Sequence, residues 1–279
     1  MRVTVIVTNY DYGSFVRMAI DSVAAQTHAV SEIIVVDDGS SDNSRAVLQQ
    51  ALSELNDLSV IFQSNQGQAA AMNAGFAAST GDIICMLDAD DVWHASKIAA
   101  IVDAFTLNPL AGMVQHTLRR VDAEAREIRC QTSAKRLHSG DLFPLLVQTG
   151  GANLFEPTSA LSFRRSTLAQ FMPLPVEEWR LCADGALVFA AAVHSEVLSL
   201  DQDLGDYRIH GDNLYAVRTC SSTRLFADLA MTNRYLNEQA ARAGRNCLVD
   251  LNRQLPFRRE RFYTQGGSWR EFLTVFSMI

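Results

Sequence analysis

Lysine is scarce in this chain. Of 24 basic residues only Lys97 and Lys135 are lysines and 22 are arginines, a bias that says more about genome composition than about function. Paired cysteines are missing too. Cys85, Cys130, Cys182, Cys220 and Cys247 are odd in number, scattered and never in a CxxC pair, which fits reduced thiols in a cytosolic chain better than a disulfide framework or a zinc site. There is no basic surplus: 24 − 31 gives a formal charge of −7, which argues against a broad nucleic-acid surface. Long apolar runs are also absent. The longest, Ala186 to Val193, is eight residues, whereas a spanning helix needs about twenty. The apolar start, Val3 to Val7, is too short for a signal peptide. The expectation is a cytoplasmic chain with at most peripheral membrane contact. No GxGxxG follows the first apolar run, and neither GxxxxGK[ST] nor GxSxG occurs, so a dinucleotide fingerprint, a P-loop and a serine nucleophile elbow are not present.

What remains is a globular composition: 279 residues, 48% hydrophobic and 20% charged, enough for one large domain or a domain with an appendage. Val3–Val7, Ile33–Val36, Ser59–Phe62 and Ile83–Leu87 are short apolar runs of the kind buried on both faces of a parallel sheet. Helical patterns lie between them. Phe15, Met18, Ala19, Ser22 and Val23 follow one-sided spacing, Ser41 or Asp42 can cap a helix carrying Val47, Leu48 and Leu52, and Gln68–Ala78 is alanine-rich. The order βαβαβαβ predicts an α/β fold with a mostly parallel, doubly wound sheet. Beyond about residue 115, Arg119–Arg129 reads as a hairpin or exposed loop and Asp141–Thr149 as a short helix. Ser159–Phe163 reads as a strand, Asp184–His194 as an apolar helix, and Glu196–Leu200 and Asp206–Ile209 as two short strands. From Ser221 onward the pattern is helical and polar.

Ligands of open α/β sheets bind beyond the carboxyl ends of the strands. Here those ends are polar: Thr8-Asn9, Asp37-Asp38, Ser64-Asn65 and Asp88-Ala89-Asp90-Asp91. In the last, a buried strand runs straight into three carboxylates, and an extended backbone would place Asp88 and Asp90 on one side. Such a cluster repels itself unless a cation neutralises it, and Mg²⁺ is commonly shared between one or two carboxylates and substrate phosphates. The alternative is that Asp91 caps a helix beginning near Val92.

The segments Val5-Ile6-Val7-Thr8-Asn9-Tyr10, Ile34–Asp42, Asn65-Gln66-Gly67 with Ala71, Asn73 and Gly75, and Leu87–Asp91 together resemble the successive motifs of family 2 glycosyltransferases, inverting enzymes of the GT-A fold. A further echo is Tyr207-Arg208-Ile209-His210-Gly211-Asp212-Asn213, similar to the family's YRxHxxN segment. The resemblance implies that Thr8, Asn9 and Tyr10 line a nucleotide pocket and that Asp38, or its neighbour Asp37, bonds the base, usually uracil. It implies that Asn65, Gly67 and Asn73 flank the nucleotide and sugar, that Asp88 and Ala89 face the ribose or donor sugar, and that Asp90 holds Mn²⁺ or Mg²⁺ with Asp88. His210 either completes the ion's shell or is a loop histidine bonded to backbone. Asp184 matches the general base, with a helix N-cap as its alternative role. Three departures from the family pattern stand out: Ala183 where a Glu is common, Met72 where Arg or Lys is common, and His94-Ala95 where a proline often follows. Glu177 and Glu178 are alternative bases, and Trp179 is either a sugar-stacking or a packing residue.

The resemblance thus implies metal-assisted, inverting transfer from a nucleotide-sugar donor, UDP-linked, to a saccharide or lipid-linked acceptor, with no nucleic-acid partner. A nucleotidyltransferase and a non-catalytic nucleotide-binding protein are the competing classes. The expected organisation is a GT-A domain over residues 1–215, with a donor half (1–115) and an acceptor half (116–215), then a helical extension over 216–279. Within the extension, Leu251–Ile279 holds five arginines against two glutamates, interleaved with aromatics. That segment is either a docked terminal element or a membrane-surface contact.

Overall fold

The structure is a computed structural model that describes residues 1–128, 137–151, 154–211, 213, 222–246 and 249–250. In chain order its elements are β1 (Val3–Asn9), α1 (Val16–Ala24), β2 (Glu32–Asp37), α2 (Ser44–Glu54), β3 (Leu58–Phe62), α3 (Gln68–Ala78), β4 (Ile83–Asp88), β5 (Val92–Trp93) and α4 (Lys97–Leu107). There follow β6 (Ala111–Val121), α5 (Phe143–Thr149), a 3₁₀ turn (Thr158–Ala160), β7 (Leu161–Arg164), α6 (Arg165–Leu168), α7 (Ala183–His194), β8 (Glu196–Arg208) and α8 (Ser222–Arg242). The sheet order is β3-β2-β1-β4-β7-β6-β8-β5. The β3-β2-β1-β4 half is parallel throughout, whereas β7 runs antiparallel to both β4 and β6.

The period-two geometry of a strand divides the core into two layers. Val3, Val5 and Val7 of β1, with Ile83, Cys85 and Leu87 of β4, pack beneath α1, α2 and α4. Ile6, Ile84 and Met86 face the other way, onto α3, α5 and α7. Both strands are apolar on successive residues because both of their faces are covered. Gly75 of α3 lies so near β1 that a Cβ there would meet Ile6 Cγ2 at 2.5 Å. The close approach of α3 to the sheet fixes where its first turn meets the strand ends.

Three elements differ from the sequence reading. The two short strands expected after Glu196 are one bulged strand, β8. Its exposed middle residues Asp201, Gln202 and Asp203 are polar because they face solvent while their backbone stays in the strand, Asp203 pairing with Thr117 of β6. No helix starts near Val92: Val92 and Trp93 pair with Asp206 and Gly205 of β8, and the helix begins at Lys97. The N-cap of α2 is Asn43, and Asp42, one residue earlier, accepts the Ser44 N–H at 2.9 Å. The charged segment after Arg119 is a hairpin closed by the Val121–Glu127 bridge and the Ile128 N–H to the Arg120 carbonyl at 2.9 Å.

The helix α8 lies on α7. Tyr235, Leu236 and Ala240 are buried in the core layer that holds Trp179 and α7, and His194 Nε2 lies 3.0 Å from Gln239 Oε1. Among the described residues no helix is long and apolar enough to cross a membrane. The basic, aromatic segment 251–279 lies outside the described residues. Leu236 is fully buried, so Leu236→Ala should cost about 2–5 kcal/mol in urea unfolding if α8 is part of the core. A change near zero would mark α8 as a loose appendage.

Candidate active site

Strand register brings the first polar residues together. Thr8 lies beside Asp88, and Asn9 beside Asp37, in the parallel β1–β4 and β1–β2 ladders. Thr8 Oγ1 donates to Asp88 Oδ1 at 3.0 Å, and Asn9 Nδ2 donates to Asp37 Oδ1 at 2.7 Å. Asp37 also accepts the Ser40 hydroxyl at 2.5 Å and the Ser40 N–H at 3.2 Å. Asn9 Oδ1 is buried without a hydrogen-bond partner, while Tyr10 is exposed at the rim. Asp37 and Asp38 are both buried.

Asp38 organises the loop before α3. Its Oδ1 accepts Gln63 Nε2 at 2.7 Å and the Gln66 N–H at 2.9 Å, and its Oδ2 accepts the Gly67 N–H at 2.7 Å. The two glycines of the loop system have steric reasons. Gly39 (φ +75°) would place a Cβ 2.6 Å from the Asn65 nitrogen, and Gly67 (φ +94°) would place one 2.4 Å from the Arg180 carbonyl oxygen. Asn65 is exposed and accepts from the Arg180 guanidinium. Asn73, expected beside the nucleotide, bonds the backbone of Leu174 on both sides of its amide. Its Nδ2 donates to the Leu174 carbonyl at 2.9 Å and its Oδ1 accepts the Leu174 N–H at 2.7 Å.

The acidic segment is a turn rather than a continued strand. The Asp91 N–H bonds the Asp88 carbonyl at 3.1 Å, and the Ala89 N–H bonds the Thr8 carbonyl at 3.1 Å. The extended-backbone argument for placing Asp88 and Asp90 together therefore fails, and the turn brings their charges within reach of each other instead. Asp90 is buried, and its Oδ2 lies 3.1 Å from His210 Nε2 and 3.3 Å from Asn213 Nδ2. The His210 ring packs against Phe15 and Tyr12, with centroid distances of 4.9 and 5.5 Å. Asp91 is directed inward, accepting the Ser159 hydroxyl at 2.5 Å and the Arg208 N–H at 2.8 Å.

Gln68, a residue no sequence motif singles out, joins three parts of the site. Its Nε2 reaches Asp88 Oδ1 at 3.2 Å and Thr158 Oγ1 at 3.4 Å, and its Oε1 accepts the Ala183 N–H at 2.9 Å. Asp184 follows in the first turn of α7. The N-cap of that helix is Cys182, with φ 58° and no side-chain cap bond, so Asp184 does not fill the N-cap role. Its Oδ1 accepts the Gly185 N–H at 2.9 Å. Glu177 and Glu178 are exposed, with Glu178 3.9 Å from Arg234, and Trp179 is buried against Phe189 and Tyr235 as a packing residue.

The carboxylates feel one another. Burial, followed by the charges of Asp90 and Asp184, pushes Asp88 up to about 7, against the opposing bonds from Thr158 and Thr8. Burial also raises Asp184, and burial with Asp90 and Asp88 raises Asp91. The Tyr207 hydroxyl is raised by burial and then by all four aspartates, which marks Tyr207 as a neighbour of the whole cluster. Among the described residues no group of three or more His, Cys, Asp or Glu is arranged as a ready-made metal cage.

The description "Glycosyl transferase family 2" belongs to a family model that matches residues 4–170. An uncharacterized glycosyltransferase of Nostoc sp. is 40% identical over 275 residues, covering 96% of this chain and 84% of its own length. Another, from Rickettsia bellii, is 28% identical over 76% of this chain, which spans 29% of that relative. Among solved structures, residues 1–349 of S. aureus TarS in complex with UDP superpose with a TM-score of 0.63 at 17% identity, over 98% of this chain and 78% of that fragment. The mannosyltransferase PcManGT of Pyrobaculum calidifontis, in complex with GDP-Man and Mn²⁺, gives 0.58 at 16% identity, over 99% and 79%. The fold is GT-A, and the class is glycosyltransferase. The chain belongs to glycosyl transferase family 2.

The three bonds at Asp38 make a stability prediction. Asp38→Asn turns an acceptor into a donor against a buried N–H, so it should lower stability by about 1–3 kcal/mol in urea unfolding without nucleotide. Unchanged stability would contradict the clamp.

Proposed function

We propose that the chain is an inverting glycosyltransferase that moves a sugar from a nucleoside-diphosphate donor, UDP-linked, to a hydroxyl of a saccharide or lipid-linked acceptor. The observation that carries the reading is the meeting of Asp88, Asp90 and Asp184 in one field at the strand ends, with Asp88 pushed up to about 7 by burial and by the other two. Anions forced together call for a cation and a polar ligand. Complexes of TarS with UDP and of PcManGT with GDP-Man and Mn²⁺ support the donor class and the ion.

Asp90 would hold Mn²⁺ or Mg²⁺ with Asp88, and His210 Nε2, 3.1 Å from Asp90, would join them. The donor set is oxygen-rich and incomplete by itself, which suits an ion that finishes its shell on diphosphate oxygens. When bound, the ion supplies Lewis-acid stabilisation of the departing diphosphate. Thr8, Asn9, Tyr10, Asp37, Asp38, Asn65 and Gly67 would frame the nucleotide, with Asn9 Oδ1 the unused buried acceptor among them. Asp88 and Ala89 would face the ribose or sugar. Asp184 would take the proton of the acceptor hydroxyl as its oxygen bonds the anomeric carbon and the bond to diphosphate breaks. One displacement inverts that carbon, and no enzyme nucleophile is needed. In this reading residues 1–115 bind the donor, 116–215 the acceptor, and 216–279 form the extension.

Asp90→Ala should abolish Mn²⁺-dependent UDP binding in calorimetry, since no remaining carboxylate replaces it in that turn. Undiminished binding would remove Asp90 from the ion's shell. Asp184→Asn should leave UDP affinity unchanged and lower kcat by roughly 10²–10⁴-fold. Near-normal turnover would assign the base elsewhere. The pH profile has a definite sign. A carboxyl raised by burial is a base only above its raised pKa, so kcat should climb with pH through a midpoint above the ordinary aspartate range. A profile with its midpoint at or below that range would speak against Asp184.

A further inference from the structure

Lys97 takes no part in the reaction proposed above, yet its side chain is wholly buried at the start of α4, directly behind the acidic turn. Its Nζ donates to the Ser159 carbonyl oxygen at 3.0 Å and lies 3.2 Å from the centroid of the Trp93 ring. Trp93 Nε1 donates to the same carbonyl at 2.8 Å. The hydroxyl of that serine faces the site: Ser159 Oγ accepts the Asp88 N–H at 3.1 Å and donates to Asp91 Oδ2 at 2.5 Å. A single residue, Ser159, therefore connects the lysine to the backbone of one acidic residue and the side chain of another. Asp91 also accepts the Arg208 N–H at 2.8 Å, while Arg208 Nε donates to the Asp90 carbonyl at 2.9 Å. The turn is thus held from two sides.

Packing alone does not account for a cation here. A methionine would fill a similar volume without the cost of taking an ammonium out of water. That cost is visible in the Lys97 pKa, which burial pushes down to about 7 against the opposing pull of Cys85 and Asp91. What a lysine adds over a methionine is a donor to the carbonyl of Ser159, the residue whose hydroxyl bonds Asp91.

We infer that Lys97 is a positioning residue for the Asp88–Asp91 turn. Through Ser159 it holds the Thr158–Ala160 turn against the strand end, so that Asp88 and Asp90 meet the cation and the diphosphate in one fixed geometry. The inference rests on the metal-assisted reading above. It assigns Lys97 no contact with substrate.

The test uses the full chain, with UDP binding followed by calorimetry across a Mn²⁺ titration. Lys97→Met and Ser159→Ala should each raise the Mn²⁺ concentration for half-maximal UDP binding by about tenfold or more, as loss of a group that orients metal ligands does, and saturating Mn²⁺ should restore UDP affinity to within about twofold. The double variant should be no worse than the weaker single one, because both act along the same path. A general packing fault would not be reversed by Mn²⁺, so affinity that stays low at saturating Mn²⁺ overturns the inference. So does a folded Lys97→Met with an unchanged Mn²⁺ midpoint, or a double variant whose losses multiply. If Lys97→Met does not fold, Ser159→Ala decides the matter, and an unchanged midpoint in that variant overturns it. Unsubstituted protein that binds UDP without regard to Mn²⁺ overturns the metal reading and this inference together, an outcome distinguished by appearing before any substitution is made.

Discussion

Repulsion among carboxylates gathered where the sheet ends governs the rest of this structure. Asp88, Asp90, Asp91 and Asp184 share a partly dry region in which burial, with the charges of Asp90 and Asp184, disfavours ionisation of Asp88, and burial, with the charges of Asp90 and Asp88, disfavours that of Asp91. The fold answers with donors aimed at each in turn. Thr8 and Gln68 serve Asp88, His210 and Asn213 serve Asp90, and Ser159 and the Arg208 backbone serve Asp91. Donors of this kind offset the cost of desolvating an anion without cancelling its charge. The remaining negative field is what a cation and a diphosphate would meet.

This arrangement needs both halves of the sheet. The first half delivers Thr8, Asp88 and Asp90 on parallel strand ends, whereas Thr158, Ser159, Asp184, Arg208 and His210 come from beyond β6. The junction is the antiparallel pairing of β4 with β7, in which Ile83 meets Arg164 and Cys85 meets Ser162. That pairing sets the 3₁₀ turn Thr158–Ala160, which precedes β7, beside the end of β4. A strand from one half and a turn from the other therefore share the Ser159–Asp88 bond. In the same way α3 and α7 meet through Gln68 and Ala183, which ties the start of α7 and its Asp184 to the first half of the sheet.

Much of the fold was legible in the sequence because two-faced burial leaves a plain signature. The four apolar runs of the first half are β1 to β4, and the alanine-rich helix spans Gln68–Ala78 as read. The proximity of His210 to Asp90, 120 positions away, was legible only through resemblance, since no spacing rule links residues so distant. Other features carry no local signal. The polar middle of β8 reads as a loop, because a strand with a solvent-facing side there is not apolar. The residue types of Asn73 and Asp38 suggest ligand contacts, but nothing local shows that their side chains also bond Leu174 and the Gln63–Gly67 loop. Gln68 and Lys97 matter through tertiary partners that a sequence window does not contain.

Metal-assisted transfer from a nucleotide sugar with inversion is the reaction we propose for this site. Its most direct test is to incubate the full chain with UDP-sugars and hydroxyl acceptors, with Mn²⁺ and with chelator, and to follow both the nucleotide released and the anomeric configuration of the product by proton NMR. UDP release is expected only with the ion, together with a glycoside of configuration opposite to the donor's. Nucleotide binding without turnover, release of pyrophosphate in place of UDP, or a product that retains the donor's configuration would contradict it.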